Sequence, residues 1–413
     1  MPHALNNALN GIAERYTKLV LAAGIHDADY VDAYYGPPEW MTEAKSANAS
    51  LASIRESART LLKDIAEIAP ARNKEILRLR HCYLQKQIGS LSARADALLG
   101  KKFSFDEEAK AYYDTEPPVF PESHFKRILG EVDTIIPGNG TVTDRLEQYR
   151  KAFTIPRDRL DRVFRAAIDE CRSRTKDHIL LPENEQFMLE YVHDKSWSGY
   201  NWYKGNNTSL IQINTDLPIF IDRAIDLAAH EGYPGHHVYN SLLETAFARS
   251  FGWVEFTVYA LFSGQSLMAE GTANFGIEVA FPGDERTAFE RARLYPLAGI
   301  DPRRAEEYAH LQSLIAKLGY AGNEAARRYL DGKFSRDEAA QWLVEYALMS
   351  PERARQRTRF FDQYRSYVIN YNYGQDLVKQ YIERRGGTSA NPAKRWEEFT
   401  ALISSPRLPS GLL

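Results

Sequence analysis

The sequence predicts a mainly α protein, one helical body from residue 1 to 413, with a small sheet or hairpin beside a histidine-rich helix. Three observations lead there. Apolar residues recur at three- and four-residue intervals over most of the chain, the mark of helices with one buried face. Alternation of polar with apolar residues is confined to the stretch between Glu185 and Asn214. Immediately after it, His230-Glu231-Gly232-Tyr233-Pro234-Gly235-His236-His237 gathers three of the chain's ten histidines, with a carboxylate directly after the first.

The helical segments run from Leu5 to Ala23, Ile54 to Ile68, Asn73 to Leu99 and Arg157 to Lys176, and residues 1–176 read as an N-terminal helical wall. Breaks at Pro37-Pro38, Pro117-Pro118 and Pro137-Gly138-Asn139-Gly140 punctuate this part, and none is long enough for a disordered linker. Strands are expected over Glu185 to Val192, Gly199 to Tyr203 and Leu210 to Asn214, with Lys204-Gly205-Asn206-Asn207 turning a hairpin. Helices resume at Pro218 to Glu231, Val238 to Phe251, Phe256 to Phe281, Pro302 to Leu318, Glu324 to Leu330, Ser335 to Tyr346 and Pro351 to Arg384, so residues 177–413 form the part that holds the motif. Ser335-Arg336-Asp337-Glu338 is a capping box: Ser335 caps the helix and Glu338 reaches back. No internal repeat or low-complexity segment is present.

A histidine followed at once by glutamate, with a second histidine about a turn later, presents two neutral imidazoles to zinc and a general base to its bound water. The usual spacing is four residues, but Pro234 occupies that position. In a straight helix His236, at i+6, points about 240° around the axis, and His237, at i+7, lies roughly 10 Å along it, so neither could share a metal with His230. The helix must bulge, and Gly232, Pro234 and Gly235 are residue types that permit it. His236 is the expected second ligand, because widening one turn absorbs two extra residues and not three. His237 is then left to contact substrate or support a ligand. A catalytic zinc needs a third protein ligand. Glu270 is the candidate, since it lies inside the apolar, Ala-rich stretch Ser266 to Glu278, where a carboxylate is costly to bury unless paired or metal-bound. Glu278 is the alternative, as ligand or as a partner that orients a histidine.

The ending Gly235-His236 is similar to that of H-E-x-G-H in thimet-type oligopeptidases and of H-E-L-L-G-H in dipeptidyl peptidase III. More broadly, H-E-x-Y-P-G-H-H followed about 35 residues later by Glu270-Gly271 resembles the bacterial family known as domain of unknown function 885, regarded as gluzincin-like metallopeptidases. Arg94, Leu98-Leu99-Gly100-Lys101 and Ser104-Phe105-Asp106-Glu107-Glu108-Ala109 are similar to a further segment of that family, and Tyr371-Asn372-Tyr373-Gly374 to its C-terminal Tyr-x-x-Gly. Thr272 and Phe275 stand where the family has Trp and Tyr, and Arg365 to Asn370 departs from its Pro-Gly-Gln stretch. The resemblance implies one Zn2+ per chain, Tyr371 as oxyanion donor with Tyr367 and Tyr373 as rivals, and a strand near Ser209 to Thr215 that pairs with the substrate backbone.

Composition excludes other classes. A net charge of −3, with acids and bases mixed along helices, gives no basic patch for nucleic acid. The longest apolar run, Leu19 to Ile25, is far short of a membrane span, and Met1 to Tyr16 lacks the form of a secretory signal. Cys82 and Cys171 read as reduced thiols of a cytoplasmic protein. The expectation is therefore zinc-dependent hydrolysis of short peptides, of carboxypeptidase, dipeptidase or oligopeptidase type. A hydrolase of another amide, and a metal-binding protein without catalysis, are the alternatives. Arg365 could take a substrate carboxylate, although a surface arginine is the plainer reading.

Overall fold

The computed structural model describes residues 2–70, 74–195 and 197–413. Helices dominate, as the periodicity requires, and two small sheets complete the body. The start of the expected Asn73 to Leu99 helix, at Asn73, lies outside the described residues, and the helix itself runs Glu75–Leu98.

At the centre is the helix Gly264–Ala280, apolar nearly all round and buried along most of its length. A helix without a polar face needs neighbours on every side. Ile369–Arg384 runs against it at such close range that a Cβ on Gly271 would meet the Gly374 carbonyl oxygen at 2.4 Å. Only glycine at both positions allows the backbones to approach this far.

Strand β1 (Val31–Tyr34) was read from the sequence as part of no element. Along the chain it is followed by β2 (Gln186–Val192), β3 (Gly199–Tyr203), β4 (Thr208–Asn214) and β5 (Val258–Ala260). β1 pairs antiparallel with β5, so the N-terminal segment is tied into the centre of the chain. β2 pairs parallel, and β3 antiparallel, with β4, giving the order β2-β4-β3. The hairpin β3-β4 forms where expected. The expectation that residues near Ser209 to Thr215 pair with the substrate backbone is corrected: β4 is the middle strand, its backbone paired on both sides, and β2 and β3 are the edges.

Two long helical readings break up. Phe256 to Phe281 divides into a turn at Val254–Thr257, strand β5, and a helix from Gly264, because Val258, Tyr259 and Ala260 find a partner strand in β1. Pro351 to Arg384 divides into Pro351–Tyr364, a tight turn Arg365–Val368 and Ile369–Arg384, with Arg365 at φ +51. Its strained backbone is held by Glu108, which accepts hydrogen bonds from the Arg365 guanidinium at 2.5 Å and from the Ser366 amide at 3.1 Å. Arg365 is thus a partly exposed residue whose Nε is committed to Glu108. The capping box at Ser335 is present, and Ser104 and Glu107 form another. Cys82 and Cys171 are free thiols.

Candidate metal centre

The bulge demanded by the motif is a π-helical turn. The helix Asp222–Leu227 continues into Ala228–Gly232 with a widened turn, and a new helix starts at His236–Leu243. Between them the amides of Tyr233 and Gly235 donate to the carbonyls of Ala228 and Ala229, at 3.0 and 2.9 Å, so the chain crosses the break without stranded backbone donors. Gly235 is obligatory: a Cβ there would lie 1.9 Å from the His230 carbonyl oxygen.

The widened turn brings His230 and His236 together, their Nε2 atoms 3.1 Å apart. Glu270 Oε2 stands 3.3 Å from the first and 3.7 Å from the second. Side chains of all three are 10–15% exposed, so the group opens onto a narrow access rather than the open surface. Glu270 Oε1 accepts a hydrogen bond from the Tyr367 hydroxyl at 2.9 Å, while Oε2 is buried and has no hydrogen-bond partner. A buried carboxylate oxygen without a donor is rare in a folded protein and points to a missing cation. Two imidazoles and a carboxylate are donors that suit zinc.

Asn274, one turn beyond Glu270, sets the tautomer of His230. Its Nδ2 donates to the Tyr371 carbonyl at 2.9 Å, which leaves Oδ1 facing His230 Nδ1 at 3.0 Å. His230 therefore carries its proton on Nδ1 and turns the Nε2 lone pair toward Glu270 and His236. Burial works against a charge on this ring, but the nearby Glu270 and Glu231 carboxylates raise its pKa to about 9.

Glu231 is buried and follows directly on His230. Its carbonyl accepts from Asn201 Nδ2 at 2.7 Å, and a Cβ on Gly199 would come within 3.2 Å of its Oε1. The carboxylate thus lies against β3, an open edge of the sheet. Tyr371 presents its ring 5.8 Å from that of Tyr367, and burial followed by the field of Glu270 pushes its hydroxyl far above the ordinary tyrosine range. Tyr367 touches the ligand itself, whereas Tyr373 is turned to Thr115.

His237 is not brought to this group. Its Nε2 lies 3.0 Å from Glu185 Oε2 and its Nδ1 2.8 Å from Ser209 Oγ. Since a carboxylate only accepts, Nε2 donates to Glu185 and Nδ1 accepts from Ser209, leaving no ring nitrogen for a substrate. Glu278 also lies elsewhere, bound by Gln375 and Lys379.

Asp32, on β1, is a site residue that the helical pattern did not disclose. Burial raises its pKa, a hydrogen bond from Tyr200 opposes this, and the charges of His236, Glu270 and Glu231 all act on it. Alternation in Tyr30-Val31-Asp32-Ala33-Tyr34 was the available signal. Asp32 also lines a small enclosed cavity between β1 and β3, with Asn201, Asn240 and Gln265.

The fold has counterparts among solved structures. A chain described as a lipoprotein of Colwellia psychrerythraea shares 14% identity at a TM-score of 0.53, covering 91% of this chain and 72% of that one. A chain described as a lipoprotein of unknown function from Shewanella oneidensis shares 13% at 0.50, covering 90% and 75%. A weaker likeness, 12% identity and a TM-score of 0.46 over 100% and 93%, is to the M32 carboxypeptidase of Deinococcus radiodurans R1. No family model and no curated protein matches the chain. These likenesses show the fold alone. Among the described residues no helix is long and apolar enough to cross a membrane.

Proposed function

We propose that the chain is a zinc metallopeptidase that hydrolyses short peptides, with His230, His236 and Glu270 as ligands. The observation that carries this reading is the partnerless Glu270 Oε2 converging on two imidazoles while a further carboxylate, Glu231, stands next to the first of them. A structural zinc has no use for that neighbour and takes four protein ligands. His237, the nearest spare histidine, is committed to Glu185 and Ser209, which favours a three-ligand site with a position left for water. The likeness of the H-E-x-Y-P-G-H-H motif to domain of unknown function 885 supports the same conclusion.

A bound zinc would supply a polarised water and a positive charge beside the scissile carbonyl. Glu231 takes the proton of the attacking water on its carboxylate and returns it to the leaving amine. Tyr371 donates its hydroxyl proton in a hydrogen bond to the carbonyl oxygen as charge develops there. Asn274 and Tyr367 hold His230 and Glu270 in place. The substrate backbone lies along β3, the unpaired edge against Glu231. Free thiols at Cys82 and Cys171 suit a reducing, cytoplasmic setting.

The test is a peptide-library digest with zinc-loaded protein, read by mass spectrometry, beside Glu231→Gln. Cleavage lost by the variant with zinc content unchanged is the expected result; a variant that cleaves as well as the parent removes Glu231 from the chemistry.

A further inference from the structure

Among the described residues, most buried and half-buried arginines have a carboxylate. Arg80 is held by Glu255 at 2.6 and 3.0 Å, Arg286 by Asp226 and Glu290 at 2.8 and 2.9 Å, and Arg365 by Glu108. Arg357, on the helix Pro351–Tyr364, does not. Its Nε is buried without a hydrogen-bond partner, and among the described residues it forms no ion pair. Its guanidinium rests on aromatic faces instead, 4.3 Å from the ring centre of Phe360, 5.9 Å from that of Phe361 and 5.8 Å from that of Tyr371. Stacking of this kind orients the planar fork but does not supply a counter-charge. Burial accordingly lowers its pKa, opposed only by Tyr371.

Arg357 as a whole is half-buried, and a partly desolvated cation without an anion gains when a ligand provides the missing charge. Its place narrows the ligand. A continuous line of contacts runs from Glu270 through the Tyr367 hydroxyl to the Tyr367 ring, then to the Tyr371 ring and on to Arg357. An extended peptide advances roughly 3.5 Å per residue, so a chain with its scissile carbonyl at the metal centre spans this line of contacts within a few residues.

We propose that Arg357 binds a substrate carboxylate, which makes the protein selective for peptides that end, or carry an acid, within a few residues of the cut. The planar fork pairs both carboxylate oxygens while the aromatic rings keep water away. This inference rests on the peptidase reading for its geometry, but its test does not depend on turnover.

The test measures binding of tri-alanine, tri-alanine amide and Ala-Ala-Glu amide by calorimetry to zinc-loaded Glu231→Gln, with and without Arg357→Gln or Arg357→Lys. Losing a charge-assisted pair of this kind costs about 10- to 100-fold in affinity. The expected result is that tri-alanine, or the glutamyl amide if the carboxylate comes from a side chain, binds about 30-fold more tightly than tri-alanine amide. Arg357→Gln should erase that preference and Arg357→Lys keep part of it, with the affinity for tri-alanine amide and the melting temperature unchanged. Equal binding of all three peptides, or an equal fall for all three in Arg357→Gln, overturns the proposal. Acid preference in a protein that cleaves nothing would leave it standing while removing the peptidase reading.

Discussion

Gly271 and Gly374 face each other across the central helix pair, the Gly374 carbonyl oxygen at 2.4 Å from where a Cβ of Gly271 would stand. Each follows a residue of the site, Glu270 directly and Tyr371 by three positions. The contact therefore sets how far the carboxylate ligand stands from the tyrosine on the neighbouring helix. An alanine at Gly271 must push the helices apart, at a cost of about 1–3 kcal/mol. The expected outcome is a lower denaturation midpoint together with weaker zinc binding; an alanine variant as stable as the parent would mean the helices part freely.

Zinc should bind at about one ion per chain, and His230→Ala, His236→Ala or Glu270→Ala should each lose it. Because the ligand trio exists only in the folded chain, zinc at a hundred times its dissociation constant should add about 2.7 kcal/mol of stability. His237→Ala should keep full occupancy, since its ring is spent on Glu185 and Ser209. Metal analysis after dialysis reads all four variants.

Tyr367 and Tyr371 should separate by what they lose. Tyr367→Phe removes the hydrogen bond that orients Glu270, and Asn274→Ala the one that orients His230; each should weaken zinc binding about 10- to 100-fold. Tyr371→Phe should keep the metal and KM while kcat falls about 100-fold or more, the usual cost of an oxyanion donor. Loss of metal in Tyr371→Phe would instead make it a support.

Glu185 carries a pH signature. Burial raises the pKa of its carboxyl, but hydrogen bonds from His237, Tyr233 and Arg172 outweigh that and bring it to about 2. A depressed pKa means that the folded state favours the carboxylate, so the contribution is complete above the unfolded value near 4.5 and is lost as the pH falls toward 2. Glu185→Gln should therefore be less stable than the parent by about 1.5–3 kcal/mol at pH 7, and the gap should close through this acid window. A gap that stays constant from pH 7 to pH 3 would show that the effect is packing rather than charge.

The helical character and the broken spacing of His230 and His236 were both legible in the sequence, because periodicity and the reach of a helical turn are local properties. The same holds for Glu270, whose burial in an apolar helix is a local contradiction. What escaped depended on distant pairing. β5 looks like helix until β1 offers it a partner, and Asp32 joins the site only through that pairing. The partner of His237 was equally hidden, since Glu185 lies on a different element and nothing near the histidine announces it. β4 was taken as an edge because strand order within a sheet has no signature in a single strand.

The β1–β5 pairing bears on how such a protein is made. Asp32 leaves the ribosome early, while His230, Glu270 and Tyr371 emerge in turn much later, so no nascent fragment contains the whole pocket. Pairings between such distant segments form late, after much loop entropy has been lost. A pocket assembled this way stays incomplete until Tyr371 has emerged, so most of the chain is made before the candidate site can close.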